Sequence, residues 1–216
     1  MCIETGILKD LIDMNDYQSE QLDALSQVLG ALEKFTKCER DQLLVDIAPY
    51  VAFRREVDQF TERHFSPLCN SACFQRKRSA CCSKDGIVTF WADVVVNACC
   101  ASTMQIAQLK QAIQAPFFSD KCIYLTPGGC LWTIRPLVCA FFLCDAVQNE
   151  VLGACREISE QWSAYKNAAA AFRWPDKPVL FDRLEAVFMA AGCDSSLMYL
   201  SKSPGLLMVK KRAGII

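Results

Sequence analysis

Fourteen of the 216 residues are cysteine, and eight of them fall into two groups of four: Cys69, Cys73, Cys81 and Cys82, then Cys122, Cys130, Cys139 and Cys144. Thiolate sulfur is a soft donor that suits zinc and iron-sulfur centres, and a tetrahedral zinc site takes four sulfurs at about 2.3 Å. Two groups of four would fill two such sites. In a reducing compartment, thiols at this density serve as metal ligands or reactive groups more often than as disulfides. The spacing sets limits on the type of site. There is no C-x-x-C pair and no ferredoxin-type run of four close cysteines. Cys69 and Cys73 resemble the start of a radical-enzyme C-x-x-x-C-x-x-C motif, but Arg76 stands where its third cysteine would fall. Cys81 and Cys82 are adjacent, so they either serve different metals or only one of them ligates. The competing reading is packing, because free cysteine is among the most buried of side chains.

Other donors are sparse. Cys99 and Cys100 lie on a predicted helix, where packing is the better reading, and Cys2, Cys38, Cys155 and Cys193 are isolated in sequence. His64 is the one histidine and precedes Cys69 by five residues, so it could complete a Cys3His site but not a multi-histidine centre. Arg135 is a candidate cofactor-binding residue. It could donate to a cluster sulfur or to the backbone holding Cys139, and its alternative is an ordinary ion pair. Arg76, Lys77 and Arg78 could offset thiolate charge or dock a partner, although such a run is often a solvated loop. No P-loop, G-x-G-x-x-G, G-x-S-x-G or H-E-x-x-H motif is present, which argues against a nucleotide enzyme of standard design.

The second group reads Cys122-Ile-Tyr-Leu-Thr-Pro-Gly-Gly-Cys130-Leu-Trp-Thr-Ile-Arg135-Pro136-Leu-Val-Cys139-Ala-Phe-Phe-Leu-Cys144. It resembles the YkgJ-type family of zinc- or iron-chelating cysteine-cluster proteins. That family has a C-x-aromatic-L turn with glycine, a second cysteine, an R-P-x-x-C segment and a final cysteine. The upstream Cys81-Cys82 dipeptide followed by Ile87, Thr89 and Asp93 fits the same pattern, so the resemblance covers about residues 65–146. Two departures stand out: seven residues separate Cys73 from Cys81, and Ala140 replaces a basic residue. The resemblance implies metal binding, with an iron-sulfur cluster as the leading cofactor and zinc as the alternative. The implied ligands are Cys69, Cys73, Cys81, Cys82, Cys122, Cys130, Cys139 and Cys144. Lysine N-methylases associated with flagellin look similar in cysteine pattern, but no methyl-donor site is recognisable here.

The elements that must carry these loops are helices. Leu22, Leu25, Leu29 and Leu32 recur at helical spacing and predict a helix over 18–35. A second is expected over 39–47, broken by Pro49, and a third from Tyr50 with Phe53, Val57, Phe60 and His64 on one stripe. Ser66-Pro67 should end it, leaving 69–86 as a loop shaped by its ligands. Thr89 reads as the N-cap of one long buried helix running to Pro116 and carrying Trp91, Val95, Ala98, Ile106, Leu109 and Ile113. Residues 119–139 read as irregular around Pro127-Gly128-Gly129, with Pro136 able to open a helix. An unbroken helix is expected from Ala146 to about Arg173, then a linker at 174–178. A short helix follows with Leu180, Leu184, Val187 and Ala191, stopped by Gly192. A small hairpin is expected from 197–200 and 206–209.

The fold class is therefore mainly α: a helical body with two irregular cysteine-rich loops between helices. Its regions are 1–64, 65–146 and 147–216, within one compact domain. With 52% hydrophobic and 22% charged residues, the chain has the balance of a folded globular protein. Its 23 basic and 24 acidic residues nearly cancel, so no global field draws in nucleic acid or an anionic membrane. No apolar run approaches the roughly 20 residues that span a bilayer. The first residues do not read as a signal peptide, so a cytoplasmic location is expected. The expected function is a metal-binding protein, iron-sulfur in the first reading, acting in electron transfer or as a redox accessory to a protein partner. A structural zinc module that presents its helices to a partner is the alternative.

Overall fold

In the computed structural model, residues 14–79, 81–83, 89–173 and 179–198 are described. The chain is mainly helical, as its periodicity predicts. Helix α1 (Asp16–Lys34) opens on a capping box in which Asn15 accepts from the Gln18 backbone and the Gln18 side chain returns a bond to Asn15. Its most buried face is Gln18, Gln21, Ala24, Leu25, Val28 and Ala31, rotated from the leucine stripe. Two polar side chains cause the shift. Gln18 Nε2 donates to the Ile113 carbonyl at 2.6 Å, and Gln21 Oε1 accepts from the Tyr124 hydroxyl at 2.7 Å.

The expected break at Pro49 does not occur. Helix α2 (Lys37–His64) runs straight through it. Proline deprives the carbonyl four residues back of its donor, but Val45 is 65% exposed, so water can take that donor's place. The length matters for the site because α2 spans from the aromatic core to the cysteines. Tyr50, Phe53 and Phe60 on α2 pack against Trp162, Tyr165 and Phe172 on α8 (Arg156–Arg173).

Phe65 caps α2, and α3 (Ser66–Leu68) leads directly into a π-helical turn, Cys69–Phe74. This stretch was expected to be irregular. The π turn, which is uncommon outside functional sites, keeps Cys69 and Cys73 one turn apart. The predicted single helix after Thr89 is two helices, α4 (Trp91–Cys100) and α5 (Thr103–Gln114). Ala101 is extended, and Ser102 starts a new capping box with Gln105. Phe90 is the N-cap of α4, one residue beyond the expected Thr89; Asp93 in the first turn accepts the Phe90 N–H at 3.0 Å.

Helix α4 lies at the centre, in contact with α1, α2 and α9 (Leu180–Ala190), and residues Trp91 through Asn97 are all buried. After α5 the chain forms a two-stranded antiparallel hairpin, β1 (Leu125–Thr126) and β2 (Gly129–Cys130), pairing Leu125 with Cys130 and Thr126 with Gly129. Gly129 has φ of +112°, a conformation side chains resist. Pro136 then precedes α6 (Leu137–Phe141).

The alanine-rich stretch is not one helix. It begins as α7 (Asp145–Val147), widens into a π turn (Gln148–Leu152), stops at Gly153-Ala154-Cys155 and resumes as α8. Glycine is the weakest helix former after proline, which accounts for the break there. Helix α9 ends at Gly192, φ +86°, as expected of a left-handed C-cap. Its buried residues are Leu180, Phe181, Leu184, Glu185 and Phe188, whereas Val187 from the predicted stripe is 44% exposed. The predicted linker and most of the predicted C-terminal hairpin lie outside the described residues. No described helix is long and apolar enough to cross a membrane.

Candidate metal centre

The second cysteine group is held by polar side chains that reach it from the helical body. Asp93 on α4 is buried; one carboxylate oxygen accepts the Phe90 N–H and the other accepts the Leu137 N–H, both at 3.0 Å. One turn on, buried Asn97 turns its Oδ1 toward the same strip of chain and accepts from Thr133 N at 2.9 Å and Ile134 N at 3.2 Å. From α2, the fully buried Arg54 donates to the Arg135 carbonyl at 2.6 Å and to the Tyr50 hydroxyl at 3.1 Å. Residues 133–137 thus have their backbone fixed at four points. Residues 131–136 lie in no helix or strand, and side chains of the helices beneath satisfy the Thr133 and Ile134 N–H groups and the Arg135 carbonyl.

Arg135 itself makes the ordinary ion pair that sequence allowed: its Nη2 stands 3.0 Å from Asp58 Oδ1 on α2. Burial works against its charge, but the Asp58 hydrogen bond and charge, with Cys130 and Cys81, more than offset that and raise its pKa. The guanidinium in turn favours the thiolate form of Cys69, Cys81, Cys130 and Cys139. The two readings of Arg135 are therefore compatible.

The first group is tied both to the helical body, through Cys69 and Cys73 on the π turn that follows α2, and to the second group. Cys122 N donates to the Cys82 carbonyl at 2.9 Å, Ser83 pairs with Lys121 in an isolated antiparallel bridge, and Lys121 Nζ donates to the Arg78 carbonyl at 2.9 Å. These bonds make one body of two loops that are far apart in sequence. Cys69 at the head of the π turn feels the charge of Cys144, Cys81 and Cys73, which with desolvation, the largest cause, raises its thiol pKa. Cys139 is pushed up to about 11 by burial, then by Cys130 and Asp93. Burial raises Cys122 to about 12, with Cys130 and Cys139 adding to it.

Three backbone N–H groups oppose these increases at the sulfurs: those of Tyr124 and Leu125 at Cys122, and that of Trp132 at Cys130. Such donors favour thiolate and are the usual environment of metal-bound sulfur. Cys81 and Cys82 have their sulfurs 4.0 Å apart. The hydrogen bond from Cys82 is the largest cause lowering Cys81, to about 6, and it drives Cys82 up.

All eight sequence-predicted cysteines therefore belong to one neighbourhood, linked through their charges across both groups. Among the described residues, every cysteine is a free thiol, and no three cysteine, histidine, aspartate or glutamate side chains stand close enough together as they lie to hold a metal ion. Thiols are the donor type that a zinc or iron-sulfur centre uses. His64 packs its ring against Phe60 at 4.6 Å and belongs to no such group. Cys99 is pushed up to about 12 by burial and then by Cys100, a thiol environment suited to packing. Trp132 is buried against Tyr124 and Phe141 packs on Trp162, whereas Phe142 is 50% exposed.

Asp93 stands out in the sequence as part of the family pattern and as an acid in a first helical turn, whereas Asn97 and Arg54 carry no such mark. Two polar residues four apart in the otherwise apolar run Trp91–Ala98 were the available sign, since a buried face keeps a polar side chain only where it has a partner. No family model matches the chain, and no curated protein or solved structure matches it either, so the likeness to the YkgJ-type family rests on the residues quoted above.

Proposed function

We propose that this protein binds a metal through the thiolates of its two cysteine groups, as an iron-sulfur centre that serves electron transfer or redox support of a protein partner. The observation that carries the reading is the joining of both groups by the Cys122 N–H bond to the Cys82 carbonyl and the Ser83–Lys121 bridge, with the Arg135 charge favouring the thiolate form of Cys69, Cys81, Cys130 and Cys139. An iron-sulfur cluster supplies one-electron chemistry and is tuned by hydrogen bonds and charge near its sulfurs. In this chain Tyr124, Leu125 and Trp132 would provide the hydrogen bonds and Arg135 the charge. Asp93, Asn97 and Arg54 hold the backbone from which Cys130 and Cys139 project.

A structural zinc site is the second reading, favoured by one distance. Adjacency in sequence argues against both Cys81 and Cys82 on one metal, but their sulfurs stand 4.0 Å apart, near the edge of a tetrahedron of sulfurs drawn about 2.3 Å from a zinc ion, about 3.8 Å. Anaerobic purification followed by an absorption spectrum and metal analysis separates the two. Iron with acid-labile sulfide and broad visible absorption is the expected result, whereas colourless protein with stoichiometric zinc would replace the first reading by the second. Replacing Cys130 or Cys139 by Ser should lower metal content and, because metal-binding free energy is folding free energy, stability as well. Single variants that keep full metal content would exclude the ligand from the set.

A further inference from the structure

A groove of about 460 Å³ opens beside the cysteine neighbourhood, between the end of the π turn and the hairpin. Its apolar side is made by Phe74, Phe118, Leu125 and Pro127, with Phe74 48% and Phe118 36% exposed. Lys77, Asp120 and Lys121 also line it. Large aromatic side chains left open to water beside a cavity of ligand size mark an interaction surface more often than a packing fault.

Charge narrows the occupant. The chain as a whole carries net charge −1. Around this groove, however, Asp120 is the one acid of residues 69–83 and 117–127, and it pairs with the half-buried Lys121 at 3.8 Å, which leaves the exposed Arg76, Lys77 and Arg78 as an excess of positive charge. The basic residues are held in place. Lys77 has φ of +55° and Ser79 +39°, left-handed conformations that non-glycine residues adopt at a cost of about 1 kcal/mol or more, and Lys121 is anchored to the Arg78 carbonyl. A pre-formed basic rim around exposed aromatics complements an acidic segment bearing apolar side chains, the charges guiding encounter and the aromatics supplying contact area.

We infer that this groove is the docking site for an acidic, apolar-bearing segment of a protein partner, bringing that partner to the edge of the cysteine centre. The role, though not the binding, rests on the metal reading. A short labelled peptide with phenylalanine and leucine set among glutamates is the probe, titrated against the full chain by fluorescence anisotropy. It should bind, and the same peptide with lysines in place of glutamates should not. Arg76→Glu combined with Lys77→Glu should weaken binding about tenfold or more, as should about 1 M salt, where screening acts within about 3 Å.

Phe118→Ser should weaken binding with less salt dependence, while circular dichroism and the urea midpoint stay at the values of the unmodified protein. Equal binding by the variants, equal binding of the lysine peptide, or tighter binding of a single-stranded oligonucleotide or of phosphatidylserine vesicles would each overturn the assignment. Metal analysis of the same preparations keeps the two readings apart. Peptide binding without metal would overturn the centre and leave the groove. Metal without peptide binding would do the reverse.

Discussion

The two cysteine groups are built by opposite means. The second is clamped from below: four backbone groups of residues 133–137 end on Asp93, Asn97 and Arg54, all buried in the helical body. In the first, Cys69 and Cys73 continue from α2, whereas the loop with Cys81 and Cys82 hangs from the second group by Cys122 on Cys82, Ser83 on Lys121 and Lys121 on Arg78. A loop whose polar groups are satisfied by a core is specified before any ligand arrives, and a loop hung on that loop is specified only after it. The difference predicts an order of formation, in which the second group folds with the helices and the Cys81-Cys82 loop of the first is completed by what it binds.

Asp93→Ala should show the largest effect. It strips the Leu137 and Phe90 N–H groups of a charged acceptor, and such bonds are worth about 1.5–3 kcal/mol each, so a loss of about 3–6 kcal/mol is expected in urea unfolding. A loss below about 1 kcal/mol would mean that the clamp does not hold the second group.

Thiol chemistry sharpens the same contrast. In metal-free protein at neutral pH, Cys81, lowered to about 6 by its Cys82 bond, is mostly thiolate, whereas Cys139, pushed up to about 11 mainly by burial, is protonated. A more acidic thiolate is also a weaker nucleophile, with a Brønsted slope of about 0.45, so acidity alone leaves Cys81 about fiftyfold faster toward iodoacetamide. Peptide mapping after brief labelling should find Cys81 modified first, and labelling should fade as pH falls below about 6. Equal rates at the two positions would erase the distinction between an open and a clamped group.

Asn97→Ala leaves the Thr133 and Ile134 N–H groups without their shared acceptor and should cost about 2 kcal/mol. Asn97→Asp, which keeps an acceptor oxygen, should recover most of it. Failure of that rescue would assign the effect to packing instead.

Much of this architecture was legible in the sequence, and the failures have physical reasons. Helices with an apolar stripe declared themselves, because a stripe is what a core requires. Helix boundaries failed wherever one weak local signal had to be weighed against another. Pro49 was read as a stop although the carbonyl it orphans faces water, and Ser102-Thr-Met-Gln105 was passed over although it is a capping box. The eight cysteines could be picked out as a set, but not their union in one neighbourhood, because a bond such as Cys122 on Cys82 links positions that no periodicity relates. Arg54 was hidden for the same reason. Its partner, the Arg135 carbonyl, is a backbone group, and backbone acceptors leave no mark in the residue types.

The smallest effect belongs to Lys121. Lys121→Met removes the Nζ bond to the Arg78 carbonyl and leaves the Asp93 and Asn97 clamp untouched. Since that bond is exposed, global stability should fall by only about 0.5 kcal/mol. The first group should respond out of proportion to this figure, because little else among the described contacts ties residues 75–79 to the body of the protein. Hydrogen exchange at the Arg78 and Cys82 amides, which donate to Cys73 and Ser79, should quicken in the metal-free variant while exchange at Thr133, Ile134 and Leu137 does not change. Quickening in both places would mean that the two groups open as one unit. The hierarchy of clamped and hanging loops would then give way to a single cooperative centre.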